Sequence, residues 1–126
     1  MENNPLILDK ECFNTGTSIV NSVKSIGKTK IENVIQKSLG VVQEDGNFAF
    51  LIYLKSLKKE EGKVAEKIIE EIRILLKNKI KIMTHNNDVI EEFKNLGNNM
   101  NNMLLAKDLI ERTLIYARYH AKALEK

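Results

Sequence analysis

A single cysteine and a single proline occur among 126 residues, and each scarcity excludes something. Cys12 has no partner, so no intrachain disulfide can form, and a reducing compartment is the natural home of such a chain. One proline and six glycines are too few for the turns of a many-stranded fold. They are well placed to punctuate helices. No apolar run approaches the ~20 residues that span a bilayer. The opening residues Met1-Glu2-Asn3-Asn4-Pro5 are acidic and polar, unlike the basic start of a signal peptide. A cytoplasmic protein without membrane association is the expectation.

Catalytic chemistry is equally thinly supplied. His85 and His120 stand far from each other and from Cys12, without the spacing of a zinc site. There is no P-loop and no dinucleotide fingerprint. Helical ribonucleases of the HEPN class place a histidine at a short fixed spacing after an arginine. Arg112 and Arg118 precede His120 at neither such spacing. Cys12 lies on an apolar face without a helper base and reads as a core residue. His85 falls in a polar loop and reads as solvated. His120 sits at a core edge, where a bond to a carbonyl would satisfy it. The expectation is a non-enzymatic protein without metal or cofactor.

What the sequence does contain is helical periodicity. Hydrophobic residues make up 43% and charged residues 29%, as in an ordinary globular protein. The length suits one domain, residues 1–126, with residues 1–8 expected as a flexible N-terminus. Six segments are predicted. The first runs from about Asp9 to Ile26, with Cys12, Gly16, Ile19, Val23 and Ile26 on one face. The second opens on a Thr29–Glu32 capping box, carries Ile31, Val34, Ile35 and Leu39, and stops at Gly40. The third follows the turn Glu44-Asp45-Gly46-Asn47 and is apolar nearly all round, so it is placed centrally. A strand over Phe48–Leu54 ranks second, since no partner strand is evident. The fourth runs from about Gly62 to Ile80 and buries Val64, Ile68, Ile72, Leu75 and Leu76. The fifth is short, capped by Asp88 with Glu91 completing a box, and ends at Gly97. The sixth runs from about Asn99 to Glu125, with Met103, Ala106, Ile110, Leu114, Ala117, Ala121 and Leu124 recurring at steps of three and four. The fold class is therefore all-α, a single compact bundle of five to six helices. Phe48, Leu51, Ile52, Ile72, Ile110 and Leu114 are the expected core.

Charge is distributed less evenly than its total of +3 suggests. The acidic pairs Glu44-Asp45, Glu60-Glu61, Glu70-Glu71 and Glu91-Glu92 alternate with lysines and read as solvated surface. Arg73, Lys77, Lys79 and Lys81 follow one another without an intervening acid. Arg118, Lys122 and Lys126 recur at steps of four on the last helix, with Arg112 and Tyr119 near the same face. Residues 24–37 add further lysines. A row of cations with an aromatic available for stacking is what phosphate-backbone binding requires. The expected nucleic-acid-binding residues are therefore Arg73, Lys77, Lys79, Lys81, Arg112, Arg118, Tyr119, Lys122 and Lys126.

Two stretches carry a family resemblance. Gly46-Asn47-Phe48-Ala49-Phe50 with Leu54-Lys55-Ser56, and the tail Tyr119-His120-Ala121-Lys122-Ala123-Leu124, resemble the small all-helical subunit of CRISPR effector complexes, of type III or related type I. The similarity covers roughly residues 24–59 and about the last 20 residues of the chain. It implies a non-catalytic part in antiviral defence. Copies would stack on themselves along a multi-subunit complex, beside other subunits, and would touch guide RNA and target strand through basic helix faces. The competing reading is a helical interaction or scaffold protein, with its lysines purely solubilising.

Overall fold

The computed structural model describes residues 4–125, which form five α-helices and no strand. Helix α1 spans Pro5–Val23. It starts earlier than its apolar stripe implies, because Asn4 caps it: the Asn4 Oδ1 accepts from the Leu6 N–H at 2.8 Å. Pro5 occupies the first turn, where a missing N–H costs nothing. Residues 5–8, within the stretch expected as a flexible N-terminus, are helical, and residues 1–3 lie outside the described range. A single 3-10 turn, Lys24–Ile26, leads to Gly27.

The second and third expected segments follow each other directly over Lys28–Ser56, and Gly46 divides them at the expected turn. α2 spans Lys28–Ser56 and is kinked at Gly46, whose φ of 91° and ψ of −172° interrupt the helical run. Gly40 does not stop it. Glycine tolerates a helix interior at modest entropic cost, and no proline follows to end the run. The Thr29–Glu32 box does not form either. Gly27 takes the N-cap position, two residues earlier than expected and with no side-chain cap.

α3 spans Lys59–Ile74 and widens into a π turn, Leu75–Lys79. There the Ile80 N–H reaches back to the Leu75 carbonyl at 2.9 Å. A loop then leads to α4, Val89–Leu96, capped by the Asp88 side chain on the Ile90 N–H at 2.9 Å. The reciprocal half of that box is supplied by the Asn86 Oδ1, which accepts from the Asp88 N–H, and not by Glu91. α5 spans Met100–Lys122 behind an Asn99 cap.

The most extensive pairing is between the first and last helices, followed by α2 against α5 and α2 against α3. α1 and α5 run parallel. Cys12 donates to the Leu109 carbonyl, Asp9 meets Tyr116, and Thr17 meets His120. Gly16 makes the close approach possible: a β-carbon there would lie 2.9 Å from both the Ala117 nitrogen and the Thr113 oxygen. The α5 stripe Ala106, Ile110, Leu114, Ala117 and Ala121 is fully buried. Leu51 and Ile72 are buried as expected, but Phe48 and Ile52 are 48% and 58% exposed. A helix apolar all round has to leave something uncovered when its neighbours pack on only part of its circumference. Among the described residues no helix is long and apolar enough to cross a membrane.

Candidate nucleic-acid interface

The expected basic residues are sorted by what holds them. Arg73 and Lys77 project from α3 and its π turn toward Glu92 of α4, which is fully buried. The Arg73 Nε donates to Glu92 Oε1 at 2.6 Å and the Lys77 Nζ to Oε2 at 2.9 Å. The Asn86 backbone N–H adds a third donor at 2.9 Å, and the Arg73 Nη2 donates to the Asn86 carbonyl. Burial alone would raise the Glu92 carboxyl. The hydrogen bonds from Arg73, Lys77 and Asn86 outweigh it and bring the group down to about 2. The surface assignment of the Glu91-Glu92 pair is therefore corrected for Glu92. Position 92 falls on the same α4 face as Val89, Phe93 and Leu96, and Arg73 and Lys77 neutralise it there. These two cations serve the fold first.

Lys79 lies on the other side of the π turn, its Nζ 3.7 Å from Glu11 of α1. Lys81 is exposed, in a left-handed backbone conformation with φ of 64°. It has no carboxylate within ion-pair distance among the described residues. Arg112 forks between Asp9 at 3.4 Å and Asp108 at 3.1 Å, so its charge is spent across α1 and α5.

The end of α5 is different. Arg118 makes no ion pair or hydrogen bond among the described residues, and its Nε is a buried donor without an acceptor. Its guanidinium carbon sits 5.4 Å from the centroid of the Tyr119 ring, which is 60% exposed. Lys122 is exposed one turn further on, likewise without an acid partner among the described residues. Lys126 lies outside the described residues.

Beside this end stands a row of rings that the periodicity of α1 does not reveal. Phe13, half exposed and one position off the buried stripe, meets Tyr116 edge-on at 5.4 Å and His120 at 5.2 Å. The Thr17 hydroxyl donates to the Phe13 carbonyl at 3.0 Å. The 2.7 Å contact to His120 Nε2 therefore has the imidazole donating, a tautomer assigned from the network. His120 is at the core edge as expected, but a hydroxyl and not a carbonyl satisfies it. His85 is exposed, with its Nδ1 accepting from Lys77 at 3.2 Å. Cys12 is buried, and burial pushes its thiol up to about 11, far from the thiolate range of reactive cysteines.

Comparison with known protein families, with curated proteins and with solved structures finds no match to this chain.

Proposed function

We propose that the chain is a non-catalytic small subunit of an RNA-guided CRISPR effector complex that touches nucleic-acid phosphates through the C-terminal end of α5. The observation that carries this reading is the cluster of Arg118, Tyr119 and Lys122: two cations without an acid partner among the described residues, beside an exposed ring. Phosphate oxygens would accept from the terminal Nη groups of Arg118, which make no hydrogen bond among the described residues, while its Nε is buried beyond their reach. Charge-assisted bonds of this kind are about twice as strong as neutral ones. The Tyr119 ring offers a face to an unstacked base. Lys81, exposed and unpaired among the described residues, is a second point of contact. Arg73, Lys77 and Arg112 play a supporting part, since each already holds a carboxylate.

One copy offers few phosphate contacts and should bind weakly. Several copies held in one assembly with other subunits would act on one strand at high effective concentration. Backbone contacts carry no base information, so binding should be almost independent of sequence.

The test is a salt titration of RNA binding by the full-length chain, wild type against Arg118→Ala/Lys122→Ala. Removing a cation that neutralises one phosphate should lower the slope by roughly 0.7–0.9. Equal slopes and equal affinities would leave the scaffold reading, in which this face is only solvated.

A further inference from the structure

A groove with apolar walls runs between α2, just past its kink, and the first turns of α5. It holds about 250 Å³, and its lining includes Asp45, Asn47, Phe48, Met103, Leu104 and Lys107. Phe48 and Leu104 are about half exposed. The tip of the Phe48 ring lies near Gly97, where a β-carbon would stand 3.6 Å from it, so the ring is held at one edge and open elsewhere. The Asn47 amide ties the two walls by donating to the Met103 carbonyl at 3.2 Å.

The side-chain groups left without partners in this groove are acceptors. Asn47 is nine-tenths buried, and its Oδ1 has no donor among the described residues. With its Nδ2 committed to Met103, the amide cannot flip to change that. The oxygen is screened from bulk water, so its donor has to enter between the two walls. Asp45 is exposed and makes no ion pair or hydrogen bond among the described residues. The face of the Phe48 ring is the negative pole of its quadrupole. Lys107, the cation of the lining, already has Glu111 one turn on, 3.9 Å from its Nζ.

We infer that this groove binds a small arylalkylammonium ion. Its ammonium brings three donors, which meet the Asp45 carboxylate and the Asn47 Oδ1. Its ring lies against Phe48 and Leu104, edge-on or offset as rings prefer, with the Met103 sulfur in favourable contact. An anion would meet acceptors and a carboxylate. A neutral apolar molecule would leave both oxygens without a donor. A metal ion needs several hard ligands, and no three His, Cys, Asp or Glu side chains are placed to hold one among the described residues. The cavity is below the ~300–1,000 Å³ of drug-sized ligands, which sets the ligand at fragment size. A ligand that small binds with a dissociation constant on the order of a millimolar.

The inference goes beyond the proposed function and does not depend on it. Its test is a titration of the full-length chain with phenethylamine, protonated at neutral pH, followed by backbone amide chemical shifts. The expected result is a saturable change confined to the groove. Phenethyl alcohol lacks the charge and should bind about tenfold more weakly, the size of one hydrogen bond to a charged group. Phenylpropionate should not bind. Asp45→Asn should weaken phenethylamine about tenfold, and Leu104→Lys should abolish binding by placing a tethered ammonium beside the site. Both positions are exposed, so helicity and melting temperature should hold. Absence of saturable shifts well above that constant overturns the inference. So does equal affinity for amine, alcohol and acid, or an affinity indifferent to Asp45→Asn. N-acetyl-lysine amide carries the same ammonium on a protein side chain and should bind more weakly for want of a ring. Tighter binding than phenethylamine would overturn the small ligand and assign the groove to a basic segment of a partner protein. Failure of the RNA reading shows instead in the Arg118 and Lys122 titration, leaving these shifts unchanged.

Discussion

Glu92 is a carboxylate with no exposed surface that stays ionised because three donors converge on it. Its carboxyl lies below the ordinary value of 4.5, at about 2. A depressed carboxyl contributes stability above its unfolded value, and that contribution is lost as pH falls toward the folded one. The window is therefore pH 4.5 down to about 2, and the shift is equivalent to roughly 3 kcal/mol. Glu92→Gln should cost a comparable amount at neutral pH and should flatten the acid limb of stability, as measured by urea unfolding across that window. A mutant with wild-type acid sensitivity would place the titrating group elsewhere. The role of Glu92 is half legible in the sequence. Val89, Glu92, Phe93 and Leu96 recur at helical spacing, which puts the carboxylate on the buried face of α4. What the sequence does not carry is the π turn that aims Lys77 at it. The likeness of Glu91 and Glu92 as neighbouring acids hides their opposite environments.

Helices are punctuated by glycine in this chain, and two of them show why the punctuation is ambiguous. Gly40 and Gly16 both lie inside helices. Gly40 has nothing within 4 Å of where a β-carbon would stand, whereas Gly16 faces backbone atoms of α5 at 2.9 Å. Gly40→Ala should thus stabilise the protein by about 0.5–1 kcal/mol, through lower chain entropy in the unfolded state. Gly16→Ala should destabilise it by about 1–3 kcal/mol, because the helices must move apart. Thermal melts of the two variants, shifting in opposite directions, check the pair together. The apolar stripe of α5 is readable residue by residue, since one face of a regular helix is buried along its whole length. The run of α2 past Gly40 is not. A helix stop depends on whether the next residues can go on packing, and Val42 can. The exposure of Phe48 and Ile52 is likewise invisible to periodicity, which counts apolar residues without knowing how much of the helix circumference neighbours cover.

Across the whole molecule, α5 acts as the spine. Its buried stripe contacts α1 and α2, its first turns border the apolar groove, and its last turns carry the unpaired Arg118. Eighteen residues separate Met100 from Arg118, which at a rise of 1.5 Å places the two surfaces ~27 Å apart. Removing residues 100–126 should uncover the apolar faces of both α1 and α2. The truncated chain should lose more helical circular dichroism than one helix accounts for, and it should unfold without a cooperative transition. A truncated chain that still melts sharply would show that α1, α2 and α3 form a core by themselves. The parallel pairing of α1 with α5 also sets an order of events during synthesis. The partners of Asp9, Cys12 and Thr17 are made about a hundred residues later. Closing a loop of that length costs roughly 4 kcal/mol of chain entropy, and no local contact between the two helices offsets it in advance. The neighbouring α2 and α3 can associate while the chain is still emerging. α1 can meet α3 before α5 exists, but the part of its apolar face that takes α5 stays open to solvent, or to a chaperone, until α5 has been made.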